Sequence, residues 1–252
     1  MSTRPTPPLT LVVGAGGLVG RHLVRALEQA HHEVLVASVP WGDEGESISA
    51  LLLTLDVFNQ ARRGRPWSVA WCAGAGVVAT PENTLAAEVR VFDRVMGALA
   101  ASVGPEEDGV VFLASSAGGV YAGATGAPFD EWTDPAPLVP YGRAKLAMEK
   151  AVHQVASQTG VRAAIGRLAN VYGPGQTLSK PQGLLSQLCL ADATGRPLPV
   201  YVSIDTIRDY LYVEDAATMI VRCLDLIREE SRGTVVTKVL SSGRPVTVGH
   251  LI

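Results

Sequence analysis

Five short runs of the chain are almost entirely apolar: "LTLVV" (9–13), "VLVAS" (34–38), "VAWCA" (69–73), "GVVFLA" (109–114) and "VRAAIGRLA" (161–169). Runs this short, without the apolar/polar alternation of a half-exposed strand, read as strands covered on both faces. Longer stretches with helical spacing separate several of them, including "LVGRHLVRALEQA" (18–30), "NTLAAEVRVFDRVMGALAA" (83–101) and "YGRAKLAMEKAVHQVAS" (141–157). Strand alternating with helix builds right-handed βαβ units, so an α/β fold with a parallel, doubly wound sheet is expected. Glycine and proline cluster in "PWGDEGE" (40–46), "GATGAP" (123–128) and "YGPGQ" (172–176), which read as loops of that fold rather than domain linkers.

The first strand leads directly into "VVGAGGLVG", which sets Gly14, Gly17 and Gly20 between strand and helix. Glycines there permit a tight turn and close backbone approach. The helix start, at Leu18 and Val19, then offers free N–H groups to a pyrophosphate. A ligand-free glycine turn has the same composition, but its place between strand and helix favours a dinucleotide. In NAD sites an acidic residue about 20 positions further on grips the adenosine ribose. Here the second run ends in Ser38, followed by Val39 and Pro40. Arg21 is the nearest candidate for a 2′-phosphate, its alternative being a solvated helix position. Asp43 and Glu44 follow in a loop with no arginine close in sequence, from which they can approach the ribose instead. The expected cofactor is NAD, with NADP a close alternative.

The 252 residues suffice for one large domain or a cofactor domain with a smaller appendage, and 47% are hydrophobic, enough for a proper core. A net charge of −3, without long runs of like charge, disfavours nucleic acid and anionic lipid surfaces as partners. Cys72, Cys189 and Cys223 form no C-x-x-C pair and the histidines show no ligand spacing, so no metal site is expected. "MSTRPTPP" is a Pro/Thr-rich tail, and glycines break the apolar stretch behind it. Neither a signal peptide nor a membrane span fits, and a cytoplasmic location is expected.

"YGRAK" places Tyr141 and Lys145 four apart, on one face of a helix. A phenol, with a reference pKa of about 10, is a poor base at neutral pH, and a neighbouring positive charge favours its ionised form. Alone, the spacing is common on helix surfaces. Upstream, "SSAGGVYAG" (115–123) brings Ser115 and Ser116 to the tip of the fourth run.

Together these strings resemble the extended short-chain dehydrogenase/reductase family, specifically its nucleotide-sugar epimerases, dehydratases and reductases. The resemblance runs from about Leu9 to the end of the chain. It is carried by the glycine loop, "LD" at Leu55–Asp56, "CAGAG" (72–76), the serine strand and "YGRAK", and most specifically by "GRLANVYGPGQ" (166–176) and "RDYLYVEDAA" (208–217). It implies a Rossmann dinucleotide-binding domain over 1–172, with 1–8 a flexible tail. Residues 173–252 would supply a small, abbreviated substrate lobe, with about 208–240 returning to the main domain. Asp56 and Val57 would meet the adenine, Ser38, Ala73 and Gly74 would line the cofactor, and Asn170 and Arg208 would face a nucleotide-sugar substrate. Arg208 matches the position that grips the diphosphate; its alternative is an ion pair with Asp205 or Asp209. A homodimer formed through two helices per subunit is implied as well. Glu88 departs from the pattern, since relatives often carry asparagine there.

Relatives usually place the active hydroxyl four residues before the tyrosine of "VYG", which here selects Ala117, a residue without one. The register is shifted, and Ser116 takes the role, with Ser115 as the fallback and Tyr121 read as packing or substrate contact. The mechanism implied is hydride transfer between a sugar carbon and nicotinamide, with Tyr141 exchanging the proton, Ser116 orienting the oxygen and Lys145 tuning the tyrosine and holding the ribose. Dehydration is disfavoured because Ala117-Gly118-Gly119 supplies no carboxyl group. C4 epimerisation of a nucleotide sugar is the leading reading, NAD(P)H-dependent keto-sugar reduction the second, and a non-catalytic dinucleotide-binding sensor or scaffold the third.

Overall fold

The computed structural model describes residues 6–74, 76, 80–178 and 183–252; most of the expected N-terminal tail, and Ala75 of "CAGAG", lie outside the described residues. The chain runs β1 (Leu9–Val13), α1 (Leu18–Gln29), β2 (Glu33–Ala37), α2 (Glu44–Ala61), β3 (Trp67–Trp71), α3 (Glu82–Ser102) and β4 (Gly109–Ser116). It continues through α4 (Ala117–Val120), α5 (Pro140–Thr159), β5 (Arg162–Leu168), β6 (Asn170–Tyr172) and α6 (Leu184–Thr194). The last elements are β7 (Ile207–Arg208), β8 (Tyr210–Tyr212), α7 (Val213–Ile227), β9 (Val235–Leu240), β10 (Val246–Thr247) and α8 (Val248–Leu251).

Six strands form one parallel sheet in the order β2-β1-β3-β4-β5-β9. Successive strand residues point to opposite faces. Leu9, Leu11 and Val13, with Trp67, Val69 and Trp71, pack into a layer formed by α2, α3 and α5. Val12, Ala70, Val110 and Phe112 pack into the opposite layer, against α1 and α7. Both faces are therefore dry, which is why the central strands are largely apolar; their buried polar exceptions, Thr10, Ser68, Ser115 and Arg167, are each hydrogen-bonded. The expected doubly wound sheet is present.

On its outer side the sheet departs from the common dinucleotide-binding order 3-2-1-4-5-6. Among the described residues no strand lies beyond β2, whose Val36 is 47% exposed. After β2 the chain passes through residues 38–43 into α2 and returns as β3 on the far side of β1. The α2 helix corrects the reading of "PWGDEGE" as loop at its last three residues only: 40–43 are irregular, and the helix begins at Glu44. Asp43 is its N-cap and accepts a hydrogen bond from the Glu46 amide at 2.9 Å, while Glu44 and Glu46 put negative charge in its first turn. Ile48, Leu51, Leu55 and Phe58 share the face that packs into the core.

The segments after β6 divide between the sheet and its rim. In the helical layer α7 packs on α1, while β9 extends the sheet beyond β5. A short parallel pair joins β6 to β8, with Asn170 opposite Tyr210, and an antiparallel pair joins β7 to β10, with Arg208 opposite Val246. Among the described residues no helix is long and apolar enough to cross a membrane.

Candidate active site

The glycine loop closes on itself and on the end of β3. Gly14 has φ +91°, and its carbonyl accepts the Gly17 amide at 2.9 Å. A Cβ at Gly20 would lie 2.1 Å from the Gly14 oxygen, and one at Gly14 would lie 2.5 Å from the Ala73 nitrogen. Both positions therefore exclude side chains, so helix, loop and β3 meet backbone to backbone. Gly17 is the N-cap of α1 and makes no side-chain cap, and the first turn, from Leu18 and Val19, carries no acidic residue. That helix end keeps its amides for an external anion, so it fits a dinucleotide pyrophosphate. Arg21 is not a free solvated arginine: Nη2 donates to the Gly16 carbonyl at 2.8 Å and Nε to Gly17 at 3.3 Å. Ser38 and Gly74 stand at the carboxyl ends of β2 and β3 beside this loop.

Two expected adenine contacts do not come to the site. Asp56 and Val57 are exposed in the middle of α2 rather than at a strand end. At a rise of about 1.5 Å per residue, Asp56 lies roughly 18 Å down the axis from the start of α2, away from the crevice. The "LD" string lies within a helix here.

At the end of β4, Ser116, Tyr141 and Lys145 converge. Ser116 is the N-cap of α4 and accepts the Gly119 amide at 3.2 Å. A Cβ at Gly119 would fall 2.9 Å from the Tyr141 ring, so this glycine lets the phenol pack against the turn that holds Ser116. Tyr141 follows Pro140, the first residue of α5. One turn on, the buried Lys145 donates from Nζ to the Ala114 carbonyl at 3.1 Å, with Nζ 5.9 Å from the centre of the Tyr141 ring.

Ser115 points elsewhere. It is 3% exposed and donates to Glu149 Oε1 at 2.5 Å. Arg167 of β5 binds both oxygens of Glu149, with Nη2 at 2.7 Å and Nε at 3.2 Å, and donates to Tyr121 Oη at 2.6 Å. Tyr121 donates in turn to the Asp130 carbonyl at 2.7 Å. This network clamps α5 to β4 and β5 directly behind the tyrosine and lysine. Sequence reasoning passed over Glu149 and Arg167. The available signals were a glutamate one turn after Lys145 and an arginine inside an otherwise apolar strand.

On the substrate side, the Asn170 side-chain amide donates to the Asp209 carbonyl at 2.9 Å and ties β6 to β8. Arg208 forms no ion pair among the described residues, contrary to its alternative reading. Asp209 is instead occupied by the Ser242 amide at 2.8 Å and hydroxyl at 3.0 Å. Arg208 is exposed and donates to its neighbour's carbonyl. The Glu88 carboxylate stands near Gly74 and Gly76, on the side of Gly74 that Lys145 Nζ also approaches. An arginine does approach the start of α2: Arg90 of α3 donates to Glu44 from Nε at 2.8 Å and from Nη2 at 2.6 Å, and holds that carboxyl below the usual glutamate range.

Residues 10–237 match the model of the NAD dependent epimerase/dehydratase family. A UDP-glucose 4-epimerase from Azospirillum brasilense is 30% identical over 243 residues, covering 83% of this chain and 66% of that protein. The UDP-glucose 4-epimerase of Thermotoga maritima, solved with UDP-glucose, superposes with a TM-score of 0.77 at 22% identity, over 96% of this chain and 80% of that one. MoeE5 in complex with UDP-glucuronic acid and NAD gives 0.75 at 25% identity, over 96% and 79%. The curated relatives also include dTDP-glucose 4,6-dehydratases and a dTDP-4-dehydro-6-deoxyglucose reductase, and the chain spans between 24% and 66% of the lengths of such relatives.

Proposed function

The chain belongs to the NAD dependent epimerase/dehydratase family, and from that premise we propose that it is a nucleotide-sugar epimerase acting at C4. The observation that carries this reading is Gly119, which joins the Ser116 hydroxyl to the Tyr141 ring beside the Lys145 ammonium. NAD, when bound, supplies the acceptor and donor of the hydride. Its pyrophosphate belongs at Leu18 and Val19 on the uncapped end of α1, between Gly14, Gly17 and Gly20, with Ala73 and Gly74 alongside. Tyr141 exchanges the proton of the C4 oxygen, and Ser116 hydrogen-bonds and orients the same oxygen. Lys145 attracts the negative charge that develops on the tyrosine oxygen. With one N–H on Ala114, it has two more for a ribose. The exposed Arg208 suits a diphosphate, which its planar fork binds through two parallel hydrogen bonds, and Asn170 faces the sugar.

Epimerisation requires the ketone to remain bound and be re-reduced on its other face. Nothing between Ala117 and Gly119 offers a carboxyl group for eliminating water, which supports epimerisation over dehydration. The same reading has two copies pairing through two helices of each subunit. A cytoplasmic setting agrees with three free cysteines. Incubation with UDP- and dTDP-hexoses and catalytic NAD is expected to interconvert C4 epimers without net NADH. Stoichiometric NADPH oxidation by a 4-keto-sugar would replace this reading with the reductase, and dinucleotide binding without turnover would replace it with a sensor.

A further inference from the structure

The short connection from β2 to α2 leaves the outer half of the crevice without its usual wall. Ligands of such sheets lie outside the carboxyl ends of the strands. Here, beyond β2, that region is bounded by residues 38–43 and the first turn of α2. Between that turn and α3 lies a cleft of about 310 Å³, with Trp41, Asp43 and Ser47 on one side and Asn83, Thr84 and Glu88 on the other. Trp41 and Glu88 also border a smaller recess with Ala73 and Gly74. Trp41 and Glu88 thus stand between the cleft and the backbone on which Gly14 closes.

We infer that this cleft takes the adenosine end of the dinucleotide, with Trp41 as the stacking surface for adenine and the Glu44–Arg90 pair selecting a 2′-hydroxyl over a 2′-phosphate. The assignment rests on the reading that the chain binds a nicotinamide dinucleotide. Trp41 is 47% exposed, yet its ring meets buried Trp71 edge-on at 6.5 Å and 77°. An indole held from behind, with one surface open to a cleft, loses little freedom when a base stacks on it. Asp43 uses Oδ1 to cap α2, which leaves Oδ2 to accept from a ribose hydroxyl. Glu44 occupies the Arg90 guanidinium through two hydrogen bonds and so withholds the nearby cation that a phosphate would need. Asp43 adds negative charge to the lining, which repels a phosphate dianion.

Calorimetric titration of the full chain with NAD, NADP, AMP and nicotinamide mononucleotide tests the assignment. Because base stacking on an aromatic is worth about 1–3 kcal/mol, Trp41→Ala is expected to weaken NAD and AMP alike by roughly tenfold or more. Nicotinamide mononucleotide should be unaffected, and Trp41→Phe should retain most of the AMP affinity. Glu44→Gln frees Arg90 and is expected to shift the NAD-to-NADP preference toward NADP by about fivefold or more, with Arg90→Met in the same chain reversing the shift. If NAD binds but neither its affinity nor that of AMP responds to Trp41→Ala, or if Glu44→Gln leaves the preference unchanged, the assignment is overturned. A chain that binds no dinucleotide overturns the underlying reading and this assignment with it.

Discussion

Ser115 and Ser116 are adjacent, yet the pleat of β4 sends them to opposite sides. Ser115 enters the buried network with Glu149 and Arg167, whereas Ser116 turns to the mouth of the sheet and caps α4. Their alanine variants should therefore fail differently. Ser115→Ala removes a hydrogen bond to a buried carboxylate and should lower unfolding free energy by about 1.5–3 kcal/mol, with turnover of folded protein nearly intact. Ser116→Ala should leave stability within about 1 kcal/mol and cut kcat by about a hundredfold, and Tyr141→Phe should abolish turnover while NAD binding persists. Denaturant unfolding alongside steady-state kinetics separates these outcomes, and equal kinetic losses for the two serines would refute the division of roles. "SSAGGVYAG" shows both hydroxyls, but which one is committed to Glu149 depends on a partner 34 residues away.

At the scale of elements, α2 exemplifies a signal that was present but outweighed. Asp43 and Glu46 have the spacing of an N-terminal cap, and Ile48, Leu51, Leu55 and Phe58 have helical spacing, but the glycines and proline of "PWGDEGE" read as loop. Arg90 is absent from any sequence window around Glu44 because it arrives from α3. A second long-range tie fixes the edge strand. Just before β2, buried His32 shares a hydrogen bond with Thr10 of β1 at 3.0 Å, and its Nε2 lies 3.8 Å from Asp225 of α7. Burial lowers its pKa below the ordinary 6.5 and Arg228 adds to this, outweighing the opposing pull of Asp225. Below pH 6.5 the unfolded chain then binds the proton more readily than the folded one. The His32 contribution is complete above 6.5 and is lost as pH falls through the folded value. Urea unfolding at about pH 7.5 and about pH 5.5 should show a larger acid loss in the wild type than in His32→Gln; parallel losses would contradict this.

For the whole molecule, the strand order sets where the fold opens first. β1, β3, β4 and β5 have neighbours on both sides, whereas β2 and β9 form the edges. Hydrogen exchange should be slowest in the four inner strands and measurably faster in β2, whose outward amides lack strand partners. Protection of β2 equal to that of β3 would mean that another element covers the edge. The inner strands, the glycine loop and the tyrosine–lysine helix are legible in the sequence because each depends on interactions a few residues apart or on uniform burial. Continuous apolar runs require two covered faces, glycine at 14 and 20 permits backbone contact, and a four-residue spacing puts Tyr141 and Lys145 on one side of α5. Tertiary structure alone decided which strand would be missing from the outer edge, where Asp56 would fall, and which carboxylate Arg167 or Arg90 would meet. Those outcomes depend on groups brought together from distant parts of the chain, and local propensity carries no information about such distances.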